Sequence, residues 1–151
     1  MKKIKYKTIE YDPARGRETD LGIDVPSFGI HTVKPGGVKI IGTGVSFEFP
    51  VFTRIQRFFW RLIFGIDITG VGTLVWPRGR SEHAVLAGVI DQGYRGEVKV
   101  KVYNPTESPI TFNAGELISQ MVPVLTLNIP LVKVDDIDFN TDRGVSGGIN
   151  N

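Results

Sequence analysis

The nine residues EVKVKVYNP, positions 97–105, constrain this chain more than any other stretch. Val98, Val100 and Val102 fall on one side of an extended chain, and Glu97, Lys99, Lys101 and Tyr103 fall on the other, because successive side chains of a strand point to opposite faces. Such a strand has one dry face and one wet face, which is the habit of antiparallel sheets. Asn104 and Pro105 then stop it. Similar short runs recur along the chain at the close spacing of a sandwich or barrel, divided by Gly, Pro, Asn and Asp. The expected fold class is therefore mostly β.

The same reading places a strand in the amino-terminal KIKYKTI, a loop over DPARGRETD, a short strand at LGIDV, and a KPGG turn leading into VKIIGTGVSFEFP. SPITF and ELISQMVPVLTL make two more strands, joined by the turn from Asn113 to Gly115. One segment departs from this period. In FTRIQRFFWRLIFG, Ile55, Phe58, Phe59, Leu62 and Ile63 recur at helical spacing, with Arg54, Arg57 and Arg61 elsewhere on the wheel. A short helix is expected within an insertion at 53–65, its apolar face packed on its own domain or on a neighbouring subunit. At 151 residues the chain is expected to form one domain over 1–151, with the polar, glycine-rich stretch 136–151 as a flexible tail.

Eighteen basic and sixteen acidic side chains give a net charge of +2, so no broad basic field is available to hold a nucleic-acid backbone. With no cysteine, disulfides, thiolate nucleophiles and cysteine-based zinc sites are all excluded. Two histidines make a histidine zinc site improbable, and the SEH triplet at 81–83 sets Ser81 and His83 about 6–7 Å apart on an extended chain, beyond hydrogen-bond reach. No secretion signal is visible and no apolar run reaches membrane-spanning length. Membrane contact is expected to be unlikely, and an intracellular, cytoplasmic location is expected, a virus-infected host cell included.

The candidate chemistry lies in GVIDQGYRGEVKV, residues 88–100, where an apolar strand runs into Asp91, turns past Tyr94, and leaves on the alternating strand. A hairpin mouth of this kind leaves backbone N–H and C=O groups unpaired, a fixed pattern of donors and acceptors for the edge of a flat heterocycle. Tyr94 offers a face for a sugar, and Asp91 an acceptor for a hydroxyl or a water. The competing reading makes Asp91 a turn cap and Tyr94 a surface aromatic. Elsewhere, Arg80 and Ser81 follow a proline-marked strand end, Arg143 lies in the tail, and Gln120 interrupts an apolar strand. Guanidinium groups match phosphate oxygens in pairs, so arginines brought together from separate positions suit a polyphosphate.

Five segments, LGIDV, GRSE, GVIDQGYRGEV, GELISQMV and DRGVSGG, fall in the order of the five motifs of the deoxyuridine triphosphatase (dUTPase) family, which the chain resembles over residues 21–148. The resemblance implies a distorted jelly-roll or β-clip domain that assembles as a homotrimer with shared active sites and hydrolyses dUTP to dUMP and pyrophosphate. It further implies that Asp91 activates the water attacking the α-phosphorus. The backbone of Gly88, Val89 and Ile90 would read uracil, and Tyr94 would pack on the deoxyribose. Arg80, Ser81 and Gln120 would hold phosphate oxygens, Arg143 would clamp the γ-phosphate, and Asp24 would contact Mg2+ through water. The chain departs from the family pattern at Gly148, where an aromatic usually stacks on the base, and at Leu117, usually basic. Two other readings remain open: a dCTP deaminase or bifunctional relative, against which Lys101 stands in place of the deaminase glutamate, and a noncatalytic nucleotide-binding or regulatory relative.

Overall fold

The computed structural model describes residues 3–79 and 83–136. Ten strands and one helix follow in the order β1 (Lys5–Thr8), β2 (Ile23–Pro26), β3 (His31–Val33), β4 (Val38–Glu48), α1 (Arg54–Phe64), β5 (Ile68–Trp76), β6 (Ala84–Leu86), β7 (Gly88–Ile90), β8 (Glu97–Tyr103), β9 (Ile110–Phe112) and β10 (Leu117–Leu127). They form one sheet in the order β1-β4-β8-β6, a second in the order β2-β10-β5-β7, and a two-stranded piece, β3-β9. Every pairing is antiparallel. The protein is mostly β, in the β-clip, jelly-roll-like arrangement expected.

The valine stripe of β8 does what its alternation demands. Val98, Val100 and Val102 are all at most 1% exposed, and they pack with Val25, Ile41, Val45, Phe112, Ile118 and Met121 between the two large sheets. Asn104 ends the strand from the inside. Although fully buried, it donates from Nδ2 to the carbonyls of Val33 (3.0 Å) and Ser108 (2.8 Å), and its Oδ1 accepts from the amide of Thr106 (2.9 Å). Those bonds fasten β3 to the loop before β9, so an uncompensated amide does not remain in the core. β3 itself had no counterpart among the strands expected from sequence.

A bulge in β4 between Gly42 and Ser46 breaks the ladder with β8. Gly44 takes a left-handed φ of +67° there, and its amide donates to Glu97 Oε1 at 2.9 Å. Glu97 is thereby tied to the bulge. The two histidines are likewise structural: His31 Nε2 meets the Phe28 carbonyl at 2.8 Å, and His83 Nε2 meets that of Ile118 at 2.9 Å while its ring stands edge-on to Phe112.

Helix α1 begins on a capping box between Thr53 and Gln56 and ends on Gly65 in the left-handed conformation, with φ +67°. Its position corrects part of the sequence expectation. None of its residues is buried, and Ile55, Phe58, Phe59, Leu62 and Ile63 stay exposed rather than packing on their own domain. What holds the helix is a two-pronged ion pair, Arg57 Nε to Asp67 Oδ1 at 2.8 Å and Nη2 to Oδ2 at 2.6 Å. Asn128 adds a bond to the same carboxylate at 3.1 Å. These donors, Arg57 first and Asn128 second, hold the Asp67 carboxyl down at about 2, against an ordinary 3.8.

A carboxylate with a depressed pKa stabilises the fold above its unfolded value and ceases to do so as pH falls through its folded value. The helix is accordingly expected to stay docked at pH 5 and to loosen as pH drops from about 4 to about 2. Asp67→Asn should reproduce the loosening at neutral pH, read as faster amide hydrogen exchange over residues 54–64 with the β8 amides unchanged. Equal protection in the variant would show that the ion pair does not hold the helix.

Candidate functional site

β7 and β8 are consecutive in the chain but belong to different sheets, β7 on the edge beside β5 and β8 between β4 and β6. This corrects the reading of residues 88–100 as a paired hairpin. The strands part at once, because Val98 and Val100 are claimed by the core while β7 lies along β5 in the register Thr73–Ile90 and Val75–Gly88. The turn from Asp91 to Gly96 therefore spans two sheets, and among the described residues β7 leaves one backbone edge without a strand partner. An unpaired edge with fixed donors and acceptors is what recognition of a heterocycle edge requires.

The turn is held on three sides. Tyr94 donates its amide to the Asp91 carbonyl at 3.0 Å, and Arg95 Nη1 reaches the carbonyls of Gln92 at 2.7 Å and Tyr94 at 2.9 Å. Gln92 Oε1 accepts from Thr126 at 2.9 Å, tying the turn to β10. The Tyr94 ring folds back over Gly96 and its hydroxyl donates to the Glu97 carbonyl at 3.0 Å. A Cβ at Gly96 would lie 2.5 Å from that hydroxyl and 2.7 Å from the ring, so Gly96 is there to let the tyrosine lie flat. The Asp91 side chain, in contrast, is exposed and makes no hydrogen bond among the described residues. It is not a turn cap. Val89, Ile90, Asp91, Tyr94, Glu97, Val98 and Lys99 line a cavity of about 260 Å³ at this place, and Gly88 lines a neighbouring one of about 250 Å³ with Val75, Leu86 and Lys101.

A second and larger cavity, about 790 Å³, lies on the β10 side of β5, by Leu74 and Trp76. Asp24 of β2 and Gln120 of β10 are paired across the ladder, so both side chains rise from one face of the sheet. Leu74, Trp76, Val122, Gly22 and the loop residues Gly16 and Asp20 complete the lining with Arg78 and Gly79. Gln120 Nε2 donates to the Pro77 carbonyl at 2.7 Å. Arg78 meets Asp24 Oδ1 through Nε at 3.0 Å and donates from Nη1 to the Leu117 carbonyl at 2.9 Å. Sequence reading passed over Arg78, Trp76 and Asp20. The available signal was PRGR, where two arginines share the end of a strand. Arg80, Ser81 and Arg143 lie outside the described residues.

A Cβ added at Gly22 would collide with the carboxamide oxygen of Gln120. Gly22→Ala should fold normally, since only the end of a flexible side chain has to move, but should push Gln120 off its place. A kcat/KM about 10-fold lower on the substrate is expected, with the melting temperature unchanged. Retained activity would remove Gln120 placement from the requirements of the site.

The two cavities share no lining residue. Along the sheet, Gln120 is opposite Trp76 and Ile90 is opposite Thr73, with β10 and β7 on either side of β5. Two strand spacings and three residue steps put Gln120 and Ile90 about 14 Å apart, and Asp91 lies further on. The chain thus carries two separate cavities on one sheet.

A two-sheet β-clip with an unpaired strand edge beside a free carboxylate, and an arginine-bearing cavity elsewhere on the same sheet, defines a nucleotide-handling class. The dUTPase family profile matches residues 63–149. Two enzymes named deoxyuridine 5'-triphosphate nucleotidohydrolase illustrate the sequence likeness: that of Nautilia profundicola is 30% identical, covering 96% of this chain and 95% of its own, and that of Clostridium tetani is 32% identical, covering 87% and 86%. The dUTPase of Staphylococcus bacteriophage 80alpha, solved with dUpNHpp, superposes with a TM-score of 0.77 at 19% identity over 98% of this chain and 97% of that one. A substituted dUTPase of S. aureus phage phi11, whose structure describes a structural Mg(II) ion, superposes at 0.71 and 16% identity over 91% and 99%. The chain belongs to the dUTPase family, and is a dUTP diphosphatase.

Proposed function

We propose that the protein converts dUTP to dUMP and pyrophosphate through attack on the α-phosphorus by a water that Asp91 holds and deprotonates. The observation that carries this reading is the Asp91 carboxylate, exposed and unbonded, in a cavity walled by the unpaired β7 edge and the Tyr94 ring. The amides and carbonyls of Gly88, Val89 and Ile90 read the uracil edge. Cytosine carries an amino group where uracil has a carbonyl, and the mismatch leaves polar groups unpaired. Tyr94, fixed over Gly96, packs on the deoxyribose and leaves no room for a 2'-hydroxyl.

The triphosphate belongs to the other half-site, where Gln120, Arg80 and Ser81 hold its oxygens, with Arg143 of the tail 136–151 closing over the γ-phosphate. Gln120 and Asp91 belong to cavities that share no lining residue, on strands with β5 between them. A homotrimer of single-domain chains resolves the separation, the nucleoside half coming from one chain and the phosphate half from its neighbour. Residues 127–136 support this, since all are exposed and Ile129, Leu131, Val132 and Val134 have no apolar cover among the described residues.

The larger cavity also fits a magnesium ion. Its carboxylates are Asp24 and Asp20, each already held by a protein donor, and among the described residues no three acids or histidines converge. A hard cation that keeps most of its waters needs no more protein than that. Asp24 would hold it through water, and when bound it would offset phosphate charge that Arg78 and the other arginines share. Among the described residues, no helix is long and apolar enough to cross a membrane.

Pyrophosphate release from dUTP, dCTP, dTTP and UTP tests the reading. A kcat/KM for dUTP at least about 100-fold above dCTP and UTP is expected. Ammonia from dCTP would indicate deamination instead, and equal use of UTP would contradict the role given to Tyr94.

A further inference from the structure

Helix α1 is mounted the wrong way round for a soluble domain. Its inward residues are Arg57 and Trp60, the only two that are half-buried. At 100° per residue, Ile55, Phe58, Phe59, Leu62 and Ile63 centre about 160° away from that docking edge, so they point outward. They are between 54% and 70% exposed. The helix contains no acidic residue. Its arginines do not cap the apolar face but flank it: Arg54 and Arg61 stand beside Phe58, between the docking edge and the apolar stripe. Among the described residues neither has an ion-pair partner.

The flank is concave. Arg54, Arg57 and Arg61 line a cavity of about 580 Å³ with Phe58, Leu62 and Asp67. Asp67 neutralises Arg57, which leaves two positive charges at a pocket with apolar walls. Such a site takes a molecule with an anionic head and a hydrocarbon body.

We propose that α1 docks the protein on an anionic phospholipid surface, its apolar stripe in the acyl boundary and Arg54 and Arg61 level with the phosphates. Interfacial helices have this composition: a strong apolar face, aromatic residues, and basic groups without acids. A second copy of the chain fits less well. A dimer held by α1 alone would rest on one three-turn helical face, short of the roughly 800 Å² that each partner contributes to a standard protein interface. Two such helices face to face would also bring their unpaired arginine flanks together. Single-stranded nucleic acid is gripped by aromatics stacked along a basic groove, whereas Phe58 and Phe59 stand edge to face with each other amid Ile55, Leu62 and Ile63.

The test is sedimentation of the full-length protein with vesicles of phosphatidylcholine alone and of phosphatidylcholine with about 30% phosphatidylglycerol. Binding to the mixed vesicles at least about 10-fold tighter than to the neutral ones is expected. Arg54→Gln and Arg61→Gln should each weaken it about fivefold. Phe59→Ser with Ile63→Ser should abolish it, and because both positions are exposed the melting temperature should hold. Equal binding to both vesicles, no binding to either, or an unaffected serine double variant overturns the proposal. So does a smaller oligomer for that variant by light scattering, which would assign the stripe to a second copy.

Discussion

Asp91→Asn is expected to lower kcat on dUTP by about 10³-fold while a non-hydrolysable dUTP analogue binds within about threefold of the parent affinity. The substitution keeps shape and removes only the capacity to take a proton and to orient water by charge. Because the Asp91 side chain makes no hydrogen bond to the described protein, no structural contact is lost with it. Fold, turn and cavity should therefore persist, and the loss should fall on turnover alone. Stopped-flow pyrophosphate release gives kcat, and calorimetry with the analogue gives the affinity. A variant that hydrolyses dUTP at a tenth of the parent rate would show that another group activates the water. A parent protein that binds the analogue without any turnover of dUTP would make the chain a noncatalytic relative.

Much of this arrangement is legible in one dimension, and the limits are physical. The β8 stripe could be read because a period of two with valine on one side has a single low-energy outcome, and all three valines are in the core. The Asp24 and Gln120 segments could be recognised as motifs, but not that they sit side by side, since cross-strand register is set by packing of the whole sheet. The parting of β7 from β8 left no local trace: a glycine-containing turn between two apolar strands looks the same whether they pair or separate. Gly93 and Gly96 have the look of turn glycines in the sequence. Neither Gly93 nor Gly96 takes a positive φ, and Gly96 is required by the Tyr94 ring instead. For α1 the periodicity gave the helix and its two faces, yet not which face turns inward. That choice rests on one long-range pair, Arg57 with Asp67, which no hydrophobic pattern can forecast.

The second large effect concerns the chain as a partner of itself. Asp91→Asn and Gln120→Ala, each nearly inactive when pure, are expected to regain about one quarter of the parent activity per site when co-expressed in equal amounts. The reasoning is combinatorial. If each site draws its Asp91 from one chain and its Gln120 from another, random assembly leaves one site in four with both residues intact. If both residues served from the same chain, every site would remain damaged and no activity would return. The first case is expected because the Asp91 and Gln120 cavities share no lining residue and β5 runs between their strands. Mixed oligomers carrying two different affinity tags, purified through both and assayed for pyrophosphate release, decide it. Double purification removes the trimers of a single variant, so recovery near one third in the mixed trimers, equal to one quarter over all random assemblies, fixes the site between chains. Background activity in a verified mixed oligomer would place the Asp91 and the Gln120 of each site on one chain.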